Sequence, residues 1–319
     1  MDLIDLFIGS EGTLGVLTSV TLRVLMTRPA MCLAFVPCRS RSLALGLVRD
    51  LRDAAKQTWR GGTAAGVDVS AIEHMDARCL ALLREDGIDR AQGVTIPADA
   101  VMALLVALEL PAGTGAAEAY DQIGRAIDAD APDTPLVRFC RMLHAAGVLD
   151  DTDVAVPSET ARAAQLLAIR EAVPAAVNAR VGRAKQAVDG RIQKTAADMI
   201  VPFERFDELL ARYDDEFRAR GLDAATWGHI SDGNVHPNVI PRSYADVESG
   251  RAAVAQFGRD VMGMGGSPLA EHGVGRNRVK QQLLRGLYGD QGIDEMRAVK
   301  RVLDPAWKLA AGVIFSERD

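Results

Sequence analysis

The sequence predicts an α+β fold, and three observations carry that prediction. Residues 14–24 alternate, with Leu14, Val16, Thr18, Val20, Leu22 and Val24 on one face, which is the period of a half-buried strand. From Ser42 onward several segments instead place apolar residues three and four apart, the spacing of amphipathic helices. The two patterns mix without the regular strand–helix–strand alternation that a doubly wound sheet requires.

Taken in order, "MCLAFVP" from Met31 predicts a second short strand, and Leu43, Leu47 and Leu51 stack down one side of a helix. Between residues 111 and 150, "PAGTGAAEAY" and "DADAPDTP" combine Pro, Gly and Asp and read as surface loops around helices. A helix beginning near Ser158 turns Leu166, Ile169, Val173 and Val177 inward, and Pro174 is expected to kink or interrupt it. Phe206, Leu209, Leu210, Tyr213 and Phe217 mark the next helix. "VESGRAAVAQFGRDV" and "GIDEMRAVKRVL" are helical again, the last ended by Asp304-Pro305. There are no repeats.

Composition narrows the function classes. With 319 residues, 48% of them hydrophobic and 25% charged, the chain is long enough for a large core in more than one lobe. A net charge of −6 with singly scattered arginines argues against a nucleic-acid groove, which needs clustered Lys and Arg. Cys32, Cys38, Cys79 and Cys140 show neither metal nor disulfide spacing, so a reducing compartment is expected. Apolar runs such as "VMALLVALEL" are too short to span a bilayer, and Met1-Asp2 does not open a secretory signal. The expected location is cytoplasmic.

Chemistry concentrates in "WGHISDGNVHPNVIP". A two-residue hairpin loop at Asp232-Gly233 would set His229 directly opposite His236 and Trp227 opposite Asn238. Opposed residues of an antiparallel pair hold their Cβ atoms about 5 Å apart, close enough for two imidazoles to share an ion. Two surface histidines beside a plain turn is the competing reading. A third ligand is offered by "GGSPLAEHGVG", where Glu271 and His272 stand adjacent between glycines. Neighbouring side chains of extended backbone point apart, so one can ligate while the other faces a substrate. Two histidines and a carboxylate suit zinc in an open site, and also non-haem iron or manganese. "MGMGG" lacks the lysine and preceding strand of a phosphate loop.

The motifs "DLFIGSEGTLGVLTSVTLRV", "QKTAADMIVP", "GHISDGNVHPNVIP" and "EHGVGRNRVKQQLL…DEMRAVKRVLDP", in this order, resemble the FAD-linked oxidases of the vanillyl-alcohol oxidase superfamily. Within it the likeness is to D-lactate dehydrogenase, the glycolate oxidase flavoprotein subunit and D-2-hydroxyglutarate dehydrogenase. The resemblance implies metal ligands at His229, His236 and Glu271, a catalytic base at His272, and Asn238 lining the same pocket. It further implies that Arg170 of "LLAIREAV" and Lys194 face the substrate carboxylate. Gly12, Gly15 and Val16 would lie against FAD. Departures are Leu167 where the family has an aromatic residue, Pro174 where some members have a hydroxyl, Ser231 before Asp232, and "LAAGVIF" in place of an NPG ending.

By this resemblance, residues 1–28 are the closing strand of the FAD-binding domain. Residues 29–267 are an antiparallel-sheet cap, or substrate, domain with flanking helices. Residues 268–319 are a helical segment that carries the EHG motif and packs back on the flavin domain. The pyrophosphate-binding portion lies upstream of the motif that opens this chain, so an N-terminal FAD-binding partner or segment is expected. The expected activity is FAD-dependent, metal-assisted oxidation of a D-2-hydroxy acid, with peripheral membrane contact through an electron acceptor as one arrangement. A non-flavin metalloenzyme and a catalytically silent fragment are the competing readings.

Overall fold

The structure is a computed structural model that describes residues 2–24, 29–63 and 66–317; the expected boundary at residue 28 and the reading of Met1 fall outside these. A short helix, α1 (Leu3–Phe7), precedes β1 (Ala30–Cys38), α2 (Arg41–Gly61), β2 (Asp68–Asp76), α3 (Ala77–Glu85) and α4 (Ile88–Ala91). There follow β3 (Met102–Leu110), α5 (Ala116–Gly124), α6 (Pro135–Ala145), β4 (Asp153–Ala155) and α7 (Thr160–Ala187). The remainder comprises β5 (Thr195–Ala196), β6 (Met199–Ile200), α8 (Phe206–Ala219), β7 (Ala224–His229), β8 (Asn234–Val239), α9 (Tyr244–Gly263) and α10 (Arg278–Leu303). The strands form one antiparallel sheet in the order β4-β1-β3-β2-β7-β8-β5, with β6 also paired to β8. The predicted α+β class is the observed one.

Alternation along β3 explains how the sheet is covered. Met102, Leu104, Val106 and Leu108 turn toward one core, shared with α2, α6, α8 and α9. Ala103 and Leu105 turn toward another, shared with α3 and α7. "VMALLVALEL" is therefore a strand buried on both faces, which is why it reads as a continuous apolar run. α2 begins at Ser40, whose side chain accepts from the Leu43 amide, and ends at the left-handed Gly62. Leu47 and Leu51 are buried as expected and Leu43 packs partly against the same core. All five apolar residues predicted inward on α8 are buried, with Tyr213 and Phe217 against Phe257 of α9.

Four expectations need correction. Residues 14–24 form no strand: residues 16–24 are exposed and pair with no strand among the described residues, so a sound alternation lacks a ladder. Pro174 does not interrupt α7, which runs on to Ala187. Ile169, Val173 and Val177 are fully buried on both sides of it, and that packing outweighs one lost backbone bond. Part of "PAGTGAAEAY" is helix α5 rather than loop, with Ala119 buried.

The fourth correction concerns the hairpin. Trp227 lies opposite His236 and Ala225 opposite Asn238, so the register differs by two residues from the one predicted. The connection is not the two-residue turn: Ile230–Asp232 make a turn of 3-10 helix and Gly233 closes it at φ 79°. Ile230 is wholly buried in the core, which draws this longer loop inward. A Cβ at Gly233 would sit 2.2 Å from the Val201 carbonyl oxygen, while the Val201 amide donates to the Gly233 carbonyl. Glycine is thus required twice, by conformation and by space. Gly233→Ala is expected to cost about 1 to 3 kcal/mol in denaturant unfolding, and an unchanged midpoint would show that the backbone at Val201, just after β6, yields instead.

Candidate active site

His229 is the last residue of β7, and its ladder partner is Glu73 of β2. There His229 Nδ1 lies 2.8 Å from Glu73 Oε1, and Arg170 Nε of α7 donates to Glu73 Oε2 at 3.1 Å. Burial pushes the Glu73 carboxyl up, but His229 and Arg170 together hold it below its ordinary value. The same contact with Glu73, against some burial, raises His229. A carboxylate on Nδ1 fixes the ring so that Nε2 points the other way.

What Nε2 meets there is Glu271. Its Oε1 lies 3.1 Å from His229 Nε2, 3.2 Å from His236 Nε2 and 3.4 Å from His272 Nε2. Three imidazoles from three segments therefore face one carboxylate oxygen. The His236 and His272 rings stack at 4.5 Å, and His229 stands edge-on to His236 at 5.8 Å.

Asp198, just before β6, organises the other side. Its Oδ2 accepts the amides of Glu271 at 2.8 Å and His272 at 2.6 Å, and lies 3.8 Å from His272 Nδ1. Its Oδ1 is 3.3 Å from His236 Nδ1 without hydrogen-bond alignment, and both atoms are buried with no other partner. Burial raises this carboxyl, yet the His236 contact and the two amides hold it well below the carboxylate range. Burial lowers His272, the Asp198 carboxylate opposing it, which favours the neutral ring.

The donor set fits a divalent ion. The ligand atoms of His229, His236 and Glu271 all lie within 4.8 Å of one another, as do those of Asp198, His236 and His272. On a tetrahedral ion with bonds of about 2.1 Å, neighbouring ligand atoms stand roughly 3.4 Å apart, close to the observed nitrogen–oxygen separations. Beside the cluster is a cavity of about 270 Å³ whose wall includes Arg170, Lys194, Trp227 and Asn238. Asn238 donates to the His236 carbonyl while its own Oδ1 is buried without a partner. Lys194 stands 5.6 Å from the Trp227 ring, and burial lowers its pKa. Seven of the predicted positions thus meet at one place. Gly12, Gly15 and Val16 are not in that cavity wall; Gly15 abuts the Phe7 ring, and Val16 is 78% exposed.

Sequence reasoning missed Glu73, Asp198 and Glu11. Glu73 reaches the site only because β2 pairs with β7, a contact no local pattern reveals. Asp198 stood within "QKTAADMIVP" but had no visible role until the chain folded. Glu11, of "GSEGTLG", sends both carboxylate oxygens to the loop after His272, accepting the amides of Val274 at 2.6 Å and Gly275 at 2.7 Å. Gly273 and Gly275, both at positive φ, let those amides turn toward it. Lys300, wholly buried, donates to the Thr13 carbonyl and holds the same segment from behind.

The sequence pattern of the FAD linked oxidases, C-terminal domain, matches residues 38–314. The chain belongs to this family. D-2-hydroxyglutarate dehydrogenase of Bos taurus is 28% identical over 304 residues, covering 95% of this chain and 47% of the relative. Glycolate oxidase subunit GlcD of Bacillus subtilis is 27% identical, covering 99% and 57%. A mitochondrial D-lactate dehydrogenase (cytochrome) of Saccharomyces cerevisiae is 24% identical, covering 97% and 46%. The chain spans about half the length of these relatives. Among solved structures, 4-ethylphenol oxidase from Gulosibacter chungangensis aligns with a TM-score of 0.50 at 13% identity, covering 93% of this chain and 56% of that one, which supports the fold alone. No helix among the described residues is long and apolar enough to cross a membrane.

In this FAD-linked oxidase domain, Glu11→Ala should speed hydrogen exchange of the Val274 and Gly275 amides while β7 and β8 stay protected. Equal exchange in variant and parent would mean that the loop holds itself.

Proposed function

We propose that this chain provides the substrate-binding and proton-transfer part of an FAD-dependent D-2-hydroxy-acid dehydrogenase, with a divalent ion held by His229, His236 and Glu271. The observation that carries the reading is the convergence of three imidazole Nε2 atoms on one Glu271 oxygen, with a carboxylate facing each Nδ1. Zinc suits two nitrogens and one oxygen best; iron and manganese suit them also. A bound ion supplies a Lewis acid that lowers the pKa of a substrate hydroxyl, and a bound flavin supplies the two-electron acceptor.

The chain's own residues divide the remaining work. His272, whose pKa partial desolvation lowers, accepts the hydroxyl proton at Nε2, and Asp198 opposite Nδ1 steadies the imidazolium that results. Arg170 and Lys194 fix the substrate carboxylate by charge-assisted hydrogen bonds. Asn238 stands in the cavity wall with a buried Oδ1 that has no hydrogen-bond partner, and is the amide we place beside the substrate. Trp227 and Pro174 supply apolar wall, which limits water around the reacting carbon. Of the positions assigned to FAD, Gly12 and Val16 are open at the surface and are the ones we place against it, with the rest of the cofactor held by an N-terminal flavin-binding partner or segment.

The relatives' names carry a D-2-hydroxy acid, glycolate or D-lactate, and the substrate class is taken from them. Membership of an FAD-linked family disfavours a metalloenzyme without flavin. A silent fragment is separated from an enzyme part by its metal stoichiometry.

The purified chain is expected to bind one zinc ion per molecule in a calorimetric titration, and Glu73→Gln to weaken that binding by about 10- to 100-fold through loss of the carboxylate behind His229. Wild-type affinity in that variant would remove Glu73 from the site. Joined with its flavin-binding counterpart, His272→Ala should reduce turnover by about 10² to 10⁴ with metal content intact. Loss of metal together with turnover would instead make His272 a ligand.

A further inference from the structure

His236 belongs to two groups of ligand atoms, and the function proposed above uses only one of them. The first joins it to His229 and Glu271 through Nε2, which lies 3.2 Å from Glu271 Oε1. The second joins it to Asp198 and His272, with one ligand atom from each residue within 4.8 Å of the others. Asp198 and His236 are buried, whereas His272 is exposed, so two donors of this second group lie inside and the third is reachable from solvent.

The three contacts between a carboxylate and an imidazole Nδ1 are unequal. His229 Nδ1 lies 2.8 Å from Glu73 Oε1 and makes a hydrogen bond. His272 Nδ1 is 3.8 Å from Asp198 Oδ2, beyond hydrogen-bond reach, and that oxygen already accepts two backbone amides. His236 Nδ1 and Asp198 Oδ1 are 3.3 Å apart, yet both are buried and neither has a hydrogen-bond partner. Leaving a ring nitrogen and a carboxylate oxygen unpartnered in the interior is costly. A cation coordinated by both removes that cost, and ligand atoms on a tetrahedral ion with bonds of about 2.1 Å stand roughly 3.4 Å apart.

We infer that Asp198, His236 and His272 form a second, weaker site for a divalent ion, and that filling it takes the proton acceptor out of action. This goes beyond the function proposed above and rests on it for the role of His272. Asp198 Oδ1, His236 Nδ1 and one nitrogen of His272 each give a lone pair to the ion. His236 then bridges two ions as an imidazolate, its Nδ1 proton leaving to solvent. Imidazole and carboxylate donors together favour zinc over magnesium or calcium, which take oxygen ligands. Two ions repel across a single ring, so the second binds more weakly than the first. Its presence silences His272 whichever nitrogen it takes. A neutral ring ligated at Nδ1 carries its proton at Nε2, and a ring ligated at Nε2 has no lone pair left there. Excess zinc is thus an inhibitor of the enzyme that one zinc serves.

Calorimetric titration of the full chain with zinc, carried past the first equivalent, tests this. The parent should take up a second equivalent more weakly than the first. His272→Ala should lose the second and keep the first, with the metal-free unfolding curve unchanged because His272 is exposed. Glu73→Gln should show the opposite pattern, the first equivalent weakened and the second retained. Joined with its flavin-binding counterpart, the parent should lose turnover as the second equivalent fills and regain it when a chelator restores one ion per chain. No second equivalent in the parent, or one that survives His272→Ala, would overturn the second site and leave His229, His236 and Glu271 standing as ligands. A single equivalent that His272→Ala abolishes and Glu73→Gln leaves unaltered would do the reverse, placing the ion at Asp198, His236 and His272 and removing the ligand set proposed above. Full turnover with two ions bound would overturn the inhibition, and the turnover of His272→Ala then shows whether the assignment of the base falls with it.

Discussion

The site depends on one buried carboxylate. Asp198 is only 3% exposed, and it faces two amides and two imidazoles at once. Leaving such a group ionised away from water is costly, and here the compensation comes from the loop that carries Glu271 and His272. The same bonds that stabilise the charge therefore fix that loop. Removing the carboxylate would release two backbone donors and two ring nitrogens together. Glu11 acts on the following residues in the same way, so the loop is gripped by one acid from before β6 and another from the start of the chain.

The sheet explains how distant residues reach this point. β2 runs between β3 and β7, so its successive residues face opposite sides: Glu73 meets His229 and Arg170, while His74 is buried on the other side. α7 lies along the Glu73 side and brings Arg170 to it, its inward residues packed with those of β1, β3 and α3. The wide core thus serves as the frame in which Glu73, His229 and Arg170 are held without much freedom.

Much of this was legible beforehand. The helices of residues 41–61, 160–187 and 206–219 follow from spacing alone, because their buried faces are long and regular. The sequence groups His229, His236, Glu271 and His272, but the connection it predicts between the two strands is not the one that forms. A two-residue turn would oppose the two histidines directly, whereas the real loop is longer and His229 comes to His236 from beyond the end of their ladder. Residues 14–24 show the reverse case, since their alternation is real and their pairing partner is not among the described strands. Glu73, Asp198 and Glu11 depend on tertiary neighbours, and nothing in their own flanking residues announces them.

The Arg170–Glu73 pair has a further consequence. One Glu73 carboxylate is shared between a guanidinium and the ring of His229, so those two groups are not independent. An anion that draws Arg170 away from Glu73 leaves the carboxylate's charge less neutralised and strengthens its hold on the His229 Nδ1–H, which makes Nε2 a better electron donor. By reciprocity, whatever draws on Nε2 loosens Glu73's claim on Arg170 and leaves the guanidinium freer to turn toward a carboxylate. Recognition of the acid's charge and the basicity of the imidazole opposite it are thereby two readings of a single linked equilibrium.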